Sequence, residues 1–206
     1  MLRIVILVIF SFCYQYQYGQ FRITSDKDFK NYSDSLLRYA GISKPDFSQN
    51  DFEMRFWVTE YIGEAQALFV FNHNNNGCWN VKGFYFCTND WVHFYRFKKD
   101  SFSLSEDWIK RWDSLNKSHI LSLPTESKVF SNWKSSTGNI VVVADGISYR
   151  VELFTPKRNR RYSYSNPEDK LLTYDLNNRE LVAINNIISI LNNELKFKNI
   201  IERQCE

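Results

Sequence analysis

Apolar residues recur at the three- and four-residue spacing of an amphipathic helix in several segments of the chain. The first segment covers residues 25–40 and ends before Gly41, a residue type that suits a helix stop. The second begins at Ser103 or Ser105, where the sequence fits the capping-box pattern. Its apolar positions are Trp108, Ile109, Trp112 and Leu115. Both segments therefore predict helices with one buried face.

The last predicted helix has the most regular pattern. It begins at Asn177, which together with Glu180 resembles a capping box with Asn in place of Ser. Its apolar stripe consists of Leu181, Ile184, Ile188, Leu191 and Leu195. We expect this stripe to pack on a sheet, and a partner-binding helix is the alternative interpretation.

Between residues 52 and 97 the period drops to two, and β-branched and aromatic residues dominate. The predicted strands lie near residues 53–61, 65–72, 78–82, 84–88 and 91–97. The polar run 72–77 contains four Asn and ends in Gly77, residue types that tolerate the positive φ of a turn. Short strands separated by such turns predict an antiparallel meander.

A hairpin is predicted over residues 139–154, because Asp145 and Gly146 are flanked by two apolar strands. This register places Tyr149 and Val151 on one face and the charged Arg150 and Glu152 on the other. A further strand over 160–165 extends the sheet before Asn166 and Pro167 end it.

These elements together predict an α+β fold. It consists of an aromatic-rich antiparallel meander and a hairpin sheet, packed by N-terminal, central and C-terminal helices. The 17 Phe, 12 Tyr and 6 Trp exclude intrinsic disorder and are best explained as the core of the meander. The length predicts one domain over residues 20–206.

Residues 1–19 have the pattern of a signal peptide. Arg3 precedes an apolar run over 4–12, and Gly19 offers a small residue before the cut. A buried strand or a short membrane anchor is the alternative, although the run is too short to span a bilayer. Cys13 is preceded by bulky Phe12, which does not fit a lipoprotein signal. We therefore expect an exported protein, periplasmic or secreted, with no membrane span after signal removal.

Cys78 and Cys87 are predicted to form a disulfide. A two-residue turn at Lys82 and Gly83 would place these cysteines opposite each other at a non-hydrogen-bonded position, where Cα atoms are about 4.5 Å apart. The same register would gather on one face Trp79, Val81, Phe84 and Phe86. A zinc site formed with His73 and His93 is the competing interpretation, but the spacing matches no zinc-finger pattern, so no metal is expected. Cys205 is left as a free thiol or an intermolecular partner.

Catalytic motifs are missing from the sequence. There is no nucleophile elbow, zinc-protease motif, P-loop or dinucleotide fingerprint, and so no cofactor is predicted. Glu53, Glu60 and Glu64 lie close in sequence, and on strands they are expected to face solvent as ordinary charges. Their use as a catalytic acid and base stays open, because geometry is the test.

The basic and aromatic run over residues 157–164 is the best candidate for a binding site. Its candidate residues are Arg158, Arg160, Arg161, Tyr162 and Tyr164. Arginine beside tyrosine can contact anions or stack on flat rings, and the alternative is a solvated turn that leads into a charged edge strand. The 26 basic and 23 acidic residues nearly cancel, and so no nucleic acid is expected. The expected partner is an anionic envelope polymer or an unknown protein.

Residues 145–153 and 161–168 resemble uncharacterised exported bacterial proteins, which pair a DG-x-x-Y hairpin with an R-x-Y-x-x-x-P tail. That family brings no activity with it. The expected function is a non-catalytic binding or interaction module, with enzyme activity disfavoured. The alternatives are a cell-envelope hydrolase whose site is not visible in the sequence and a structural subunit of a surface complex.

Overall fold

A computed structural model describes residues 26–60, 65–88, 94–130, 146–173 and 178–199. Several sequence-based predictions fall outside these residues. They are the signal peptide at 1–19, the first hairpin strand at 139–145, and the roles of Cys13, Glu64, His93 and Cys205. Among the described residues, no helix is long and apolar enough to cross a membrane.

The described chain contains six strands, five helices with complete bounds and a helical stretch over residues 197–199. The strands are β1 (Asn50–Glu60), β2 (Ala65–Asn74), β3 (Trp79–Thr88), β4 (Phe94–Phe102), β5 (Ile147–Phe154) and β6 (Asn159–Ser165). The helices are α1 (Asp26–Tyr39), α2 (Trp108–Lys117), α3 (Glu126–Phe130), α4 (Pro167–Thr173) and α5 (Arg179–Leu195).

All six strands form one antiparallel sheet in the order β4-β3-β2-β1-β5-β6. The predicted meander and the predicted hairpin strand are joined because β1 pairs with β5, with Trp57 opposite Arg150. One antiparallel sheet packed by several helices confirms the predicted α+β fold.

One face of the sheet carries the main core. The strand residues that define this face include Met54, Phe56, Val58, Phe69, Phe71, Tyr149 and Val151. Helix α5 packs on it through a stripe that is at most 2 % exposed: Leu181, Ile184, Ile187, Ile188, Leu191 and Leu195. The predicted packing of this helix is confirmed, and the helix leaves no apolar stripe for a docking partner.

The opposite face carries a smaller apolar cluster under α1. Trp57, Leu68, Phe84 and Phe86 pack there against Leu36. The predicted first helix is confirmed, and its buried face covers the part of the sheet formed by β1 to β3.

The predicted turn at Lys82 and Gly83 is wrong. Residues 79–88 form one continuous strand in which Gly83 pairs with Phe69 on one side and Asp100 on the other. A Cβ atom at position 83 would collide with Cε2 of Phe102, so glycine provides room for that ring. Because the strand does not fold back, the four apolar residues assigned to one face divide: Trp79 and Val81 join the main core, and Phe84 and Phe86 lie on the α1 face.

The predicted disulfide between Cys78 and Cys87 is wrong for the same reason. The two cysteines lie at opposite ends of β3, and a strand rises about 3.3 Å per residue, which places them far beyond disulfide reach. Cys78 is a free, exposed thiol beside the β2–β3 turn, whereas Cys87 is buried and is itself disulfide-bonded, though not to Cys78.

The starts of two predicted helices also move. Helix α2 begins at Trp108 instead of at the serines before it, and the Oγ of Ser105 donates to Oε2 of Glu194, 2.8 Å away. Ile109 was expected in the buried stripe but is 56 % exposed. Helix α5 is capped one residue later than predicted, because Oδ1 of Asn178 accepts from the Leu181 N–H at 2.9 Å.

Candidate binding site at the free edge of the sheet

Among the described strands, β6 lies at one end of the sheet, and its side away from β5, here named the free edge, pairs with no other described strand. It carries most of the residues predicted to bind a ligand. Its neighbour is β5, with Tyr162 opposite Val151 and Arg161 opposite Glu152. Successive side chains of a strand point to opposite faces. Arg160, Tyr162 and Tyr164 therefore lie on the face of the main core, and Arg161 lies on the other.

The two tyrosines are part of the core. Tyr162 is 2 % exposed, and its hydroxyl donates to the Ile120 carbonyl at 2.7 Å. Tyr164 is 0 % exposed, and its hydroxyl donates to the Pro124 carbonyl at 2.8 Å. Burial raises the pKa of both hydroxyls. These side chains fix the loop after α2 to the sheet, and both are buried.

Arg160 has a similar structural task. Its Nη2 donates to the carbonyls of Ser122 and Leu123, at 2.9 and 2.6 Å. The guanidinium thereby provides a hydrogen-bond donor for two carbonyls of the loop after α2.

The two other arginines of the predicted site remain available. Arg158 lies in the β5–β6 turn, which Thr155 closes by accepting from the Arg158 N–H at its hydroxyl oxygen, 3.0 Å away. The side chains of Arg158 and Arg161 are exposed, and neither makes a hydrogen bond or ion pair with another described residue. The sequence-predicted set therefore divides into three residues whose side chains bond to the loop after α2 and two exposed cations without a described partner.

A cavity of about 250 Å³ adjoins Arg161. Its walls are Thr125, Glu126, Ser127, Arg150, Arg161, Tyr162 and Ser163. Of its charged groups, Glu126 is paired with Lys170, with Oε1 and Nζ 2.5 Å apart. Arg150 is buried and lies with its Nε 3.4 Å from Oε1 of Glu152. Arg161 is thus the cation of this cavity that no described carboxylate neutralises.

A buried group of charges lies on the face of the sheet that carries Arg161, and the sequence did not predict it. Glu53 was expected to face solvent, but it is 6 % exposed and accepts from Nε of Arg55 at 2.6 Å. Arg55 also donates to the Ser43 carbonyl at 2.8 Å. On the neighbouring strand, Glu152 accepts from Nε1 of Trp57 at 3.2 Å. Burial raises the pKa of the Glu53 carboxyl, against the opposing attraction of Arg55.

The signal for this group was present in the sequence. Glu53, Arg55 and Trp57 occupy every second position of β1 and so share one face of the strand. Arg150 and Glu152 are likewise two positions apart on β5. What the sequence did not show is that these two strands pair, which sets the charged rows side by side.

Catalytic geometry is not formed by the two described histidines. Nδ1 of His73 lies 2.6 Å from Oδ1 of Asp51, and Nε2 of His119 lies 2.9 Å from Nη2 of Arg179. Neither ring forms a hydrogen bond with the side chain of a described serine or cysteine. Within the described ranges, no group of three His, Cys, Asp or Glu side chains is arranged to hold a metal ion.

Comparison with protein-family models, with curated proteins and with solved structures found no match to this chain. The resemblance to exported bacterial proteins thus stays a prediction from two short motifs.

Proposed function

We propose that this protein is an exported, non-catalytic binding module that recognises an anionic polymer at the free edge of β6. The observation that carries the proposal is the exposed pair of arginines, Arg158 and Arg161, of which the second borders a cavity whose lining carboxylate, Glu126, is already paired with Lys170. Export rests on the basic-then-apolar pattern of residues 1–19.

The local charge favours an anion although the net charge of the chain is only +3. Two guanidinium groups without described partners lie on one short strand and its turn, and guanidinium groups bind oxyanions through paired N–H donors. A polymer with repeated anionic groups can contact both at once, which raises its apparent affinity.

Chromatography on immobilised polyanions tests this function. The wild-type protein is expected to be retained on dextran sulfate or on alginate, and to elute with added salt because salt screens exposed charges. The double variant Arg158→Gln, Arg161→Gln is expected to elute at clearly lower salt.

The matched control removes two exposed lysines elsewhere, Lys82→Gln and Lys117→Gln, and so has the same net charge as the double variant. Its retention is expected to exceed that of the arginine variant. Equal losses in the two variants would reduce the retention to a general charge effect, and no retention of the wild type on either polymer would overturn the proposed function.

A further inference from the structure

The free edge of β6 already binds one carboxylate of the protein itself. The Ser165 backbone N–H donates to Oε1 of Glu126 at 3.2 Å, on the side of β6 that faces away from β5. Backbone groups of an antiparallel strand alternate between its two sides. The N–H groups of Ser163 and Arg161 therefore lie on the same free edge, next to the cavity that both residues line.

Hydroxyl donors complete this side of the cavity. The Oγ1 of Thr125 and the Oγ of Ser127 are 3.1 Å apart and share one hydrogen bond. Since each hydroxyl carries one proton, one of the two keeps a proton for another acceptor. The Ser163 hydroxyl makes no hydrogen bond with another described residue.

One positive charge of the cavity has no described negative partner. Lys170 neutralises Glu126, and Glu152 neutralises Arg150, so the guanidinium of Arg161 has no described counterion. The cavity is therefore lined by hydrogen-bond donors: edge N–H groups and a guanidinium from β6, and hydroxyls from residues 125–127 and from Ser163. Among the described groups, no carboxylate of the cavity keeps an unpaired negative charge.

We propose that this cavity binds one tetrahedral oxyanion, a phosphate or sulfate group, with Arg161 as its counterion. The inference rests on the proposed function and names the chemical group that the module recognises. A planar carboxylate is satisfied by the two parallel donors of one guanidinium. A phosphate or sulfate group has further oxygens pointing in other directions, and these take the edge N–H groups and the hydroxyls.

Titration of the full-length protein with inorganic phosphate, sulfate and acetate tests the proposal. Phosphate and sulfate are expected to bind saturably and to shift the backbone amide signals of Arg161 and Ser163 in nuclear magnetic resonance spectra, and acetate is expected to bind at least about tenfold more weakly. Arg161→Gln is expected to weaken phosphate binding by about tenfold or more, since the bond lost is charge-assisted.

Further variants keep the result interpretable. Arg161→Lys keeps the charge but loses the fork of donors, and its affinity is expected to lie between those of the wild type and Arg161→Gln. If Arg161→Gln fails to fold, Ser163→Ala provides the test, with an expected loss of about three- to tenfold for one neutral hydrogen bond. Lys117→Gln is the charge control and is expected to bind phosphate as the wild type does.

The outcomes separate this inference from the proposed function. Unchanged phosphate binding in Arg161→Gln, or acetate binding as tight as phosphate binding, would overturn the oxyanion site. Retention on alginate that phosphate does not compete away would also overturn it, while the proposed function would stand. A synthetic poly(glycerol phosphate) distinguishes the source: binding of the polymer and of the free ion supports a pendant group as ligand, and binding of the free ion alone supports a soluble anion.

Discussion

Arg160 and Arg161 are adjacent in sequence but differ in what their loss should do to stability. Arg160 donates to the carbonyls of Ser122 and Leu123 and so holds the loop after α2 against β6. The side chain of Arg161 makes no hydrogen bond with another described residue. Replacing each with Gln removes one positive charge from the same strand, and the two substitutions therefore serve as controls for each other.

The expected loss of unfolding free energy in Arg160→Gln follows from the two hydrogen bonds of the Arg160 side chain. A hydrogen bond from a charged donor contributes about 1.5–3 kcal/mol in mutational series. The two bonds share one nitrogen, and the bond to Ser122 is exposed, so that together they count as roughly one such bond. We expect Arg160→Gln to lower the free energy of unfolding by about 1.5–3 kcal/mol, and Arg161→Gln to change it by less than about 0.5 kcal/mol, as is usual for surface positions.

Urea unfolding followed by circular dichroism measures both changes. Thermal unfolding should show Tm lower by roughly 3–12 °C for Arg160→Gln, given about 2–4 °C per kcal/mol in a chain of this size. The reasoning is refuted if Arg160→Gln unfolds like the wild type, or if Arg161→Gln loses as much stability as its neighbour.

Other predictions concern buried and turn positions. Burial raises the pKa of Glu53 above its usual value of 4.5, so the folded chain holds this proton more tightly than the unfolded chain, and the stability from this group is lost as pH rises through the raised pKa. The unfolding free energy of the wild type minus that of Glu53→Gln, from urea curves at about pH 4 and about pH 7, should fall with pH, and a rise would contradict the assignment. Gly146→Ala should destabilise by about 1–3 kcal/mol in the same assay. The reason is that φ is +142° and a Cβ atom would collide with Oδ1 of Asn166; wild-type stability would show that the backbone at residue 146 adapts. Cys78 should react with a thiol reagent in the native protein, and Cys87 should not because it is buried and disulfide-bonded, as mass spectrometry of the labelled peptides can show; protection of Cys78 would count against its exposed position.

The sequence was sufficient for the elements whose signals are local. The apolar stripes of α1 and α5 and the alternation in β1, β2, β5 and β6 each arise within one segment, because helix and strand periods are local properties. Gly83 shows the limit of such signals. Glycine beside Lys82 has the same appearance in a turn and in a strand that must pass a ring, and only the position of Phe102 on β4 distinguishes them.

The candidate site divides along the same line. The run of arginines and tyrosines over 158–164 was visible in the sequence, and so was the alternation that separates Arg160 from Arg161. The loop after α2 decided which side chains of this run lack a partner, because its carbonyls accept hydrogen bonds from Arg160, Tyr162 and Tyr164. Likewise, the charged rows of β1 and β5 became a buried network only because these strands pair across about ninety residues of chain. The sequence by itself determined the helices and strands that have a regular local period, such as α1 and α5. The tertiary structure decided that β3 passes through Gly83 without a turn and which polar groups are hydrogen-bonded, because both depend on partners that lie far away in the chain.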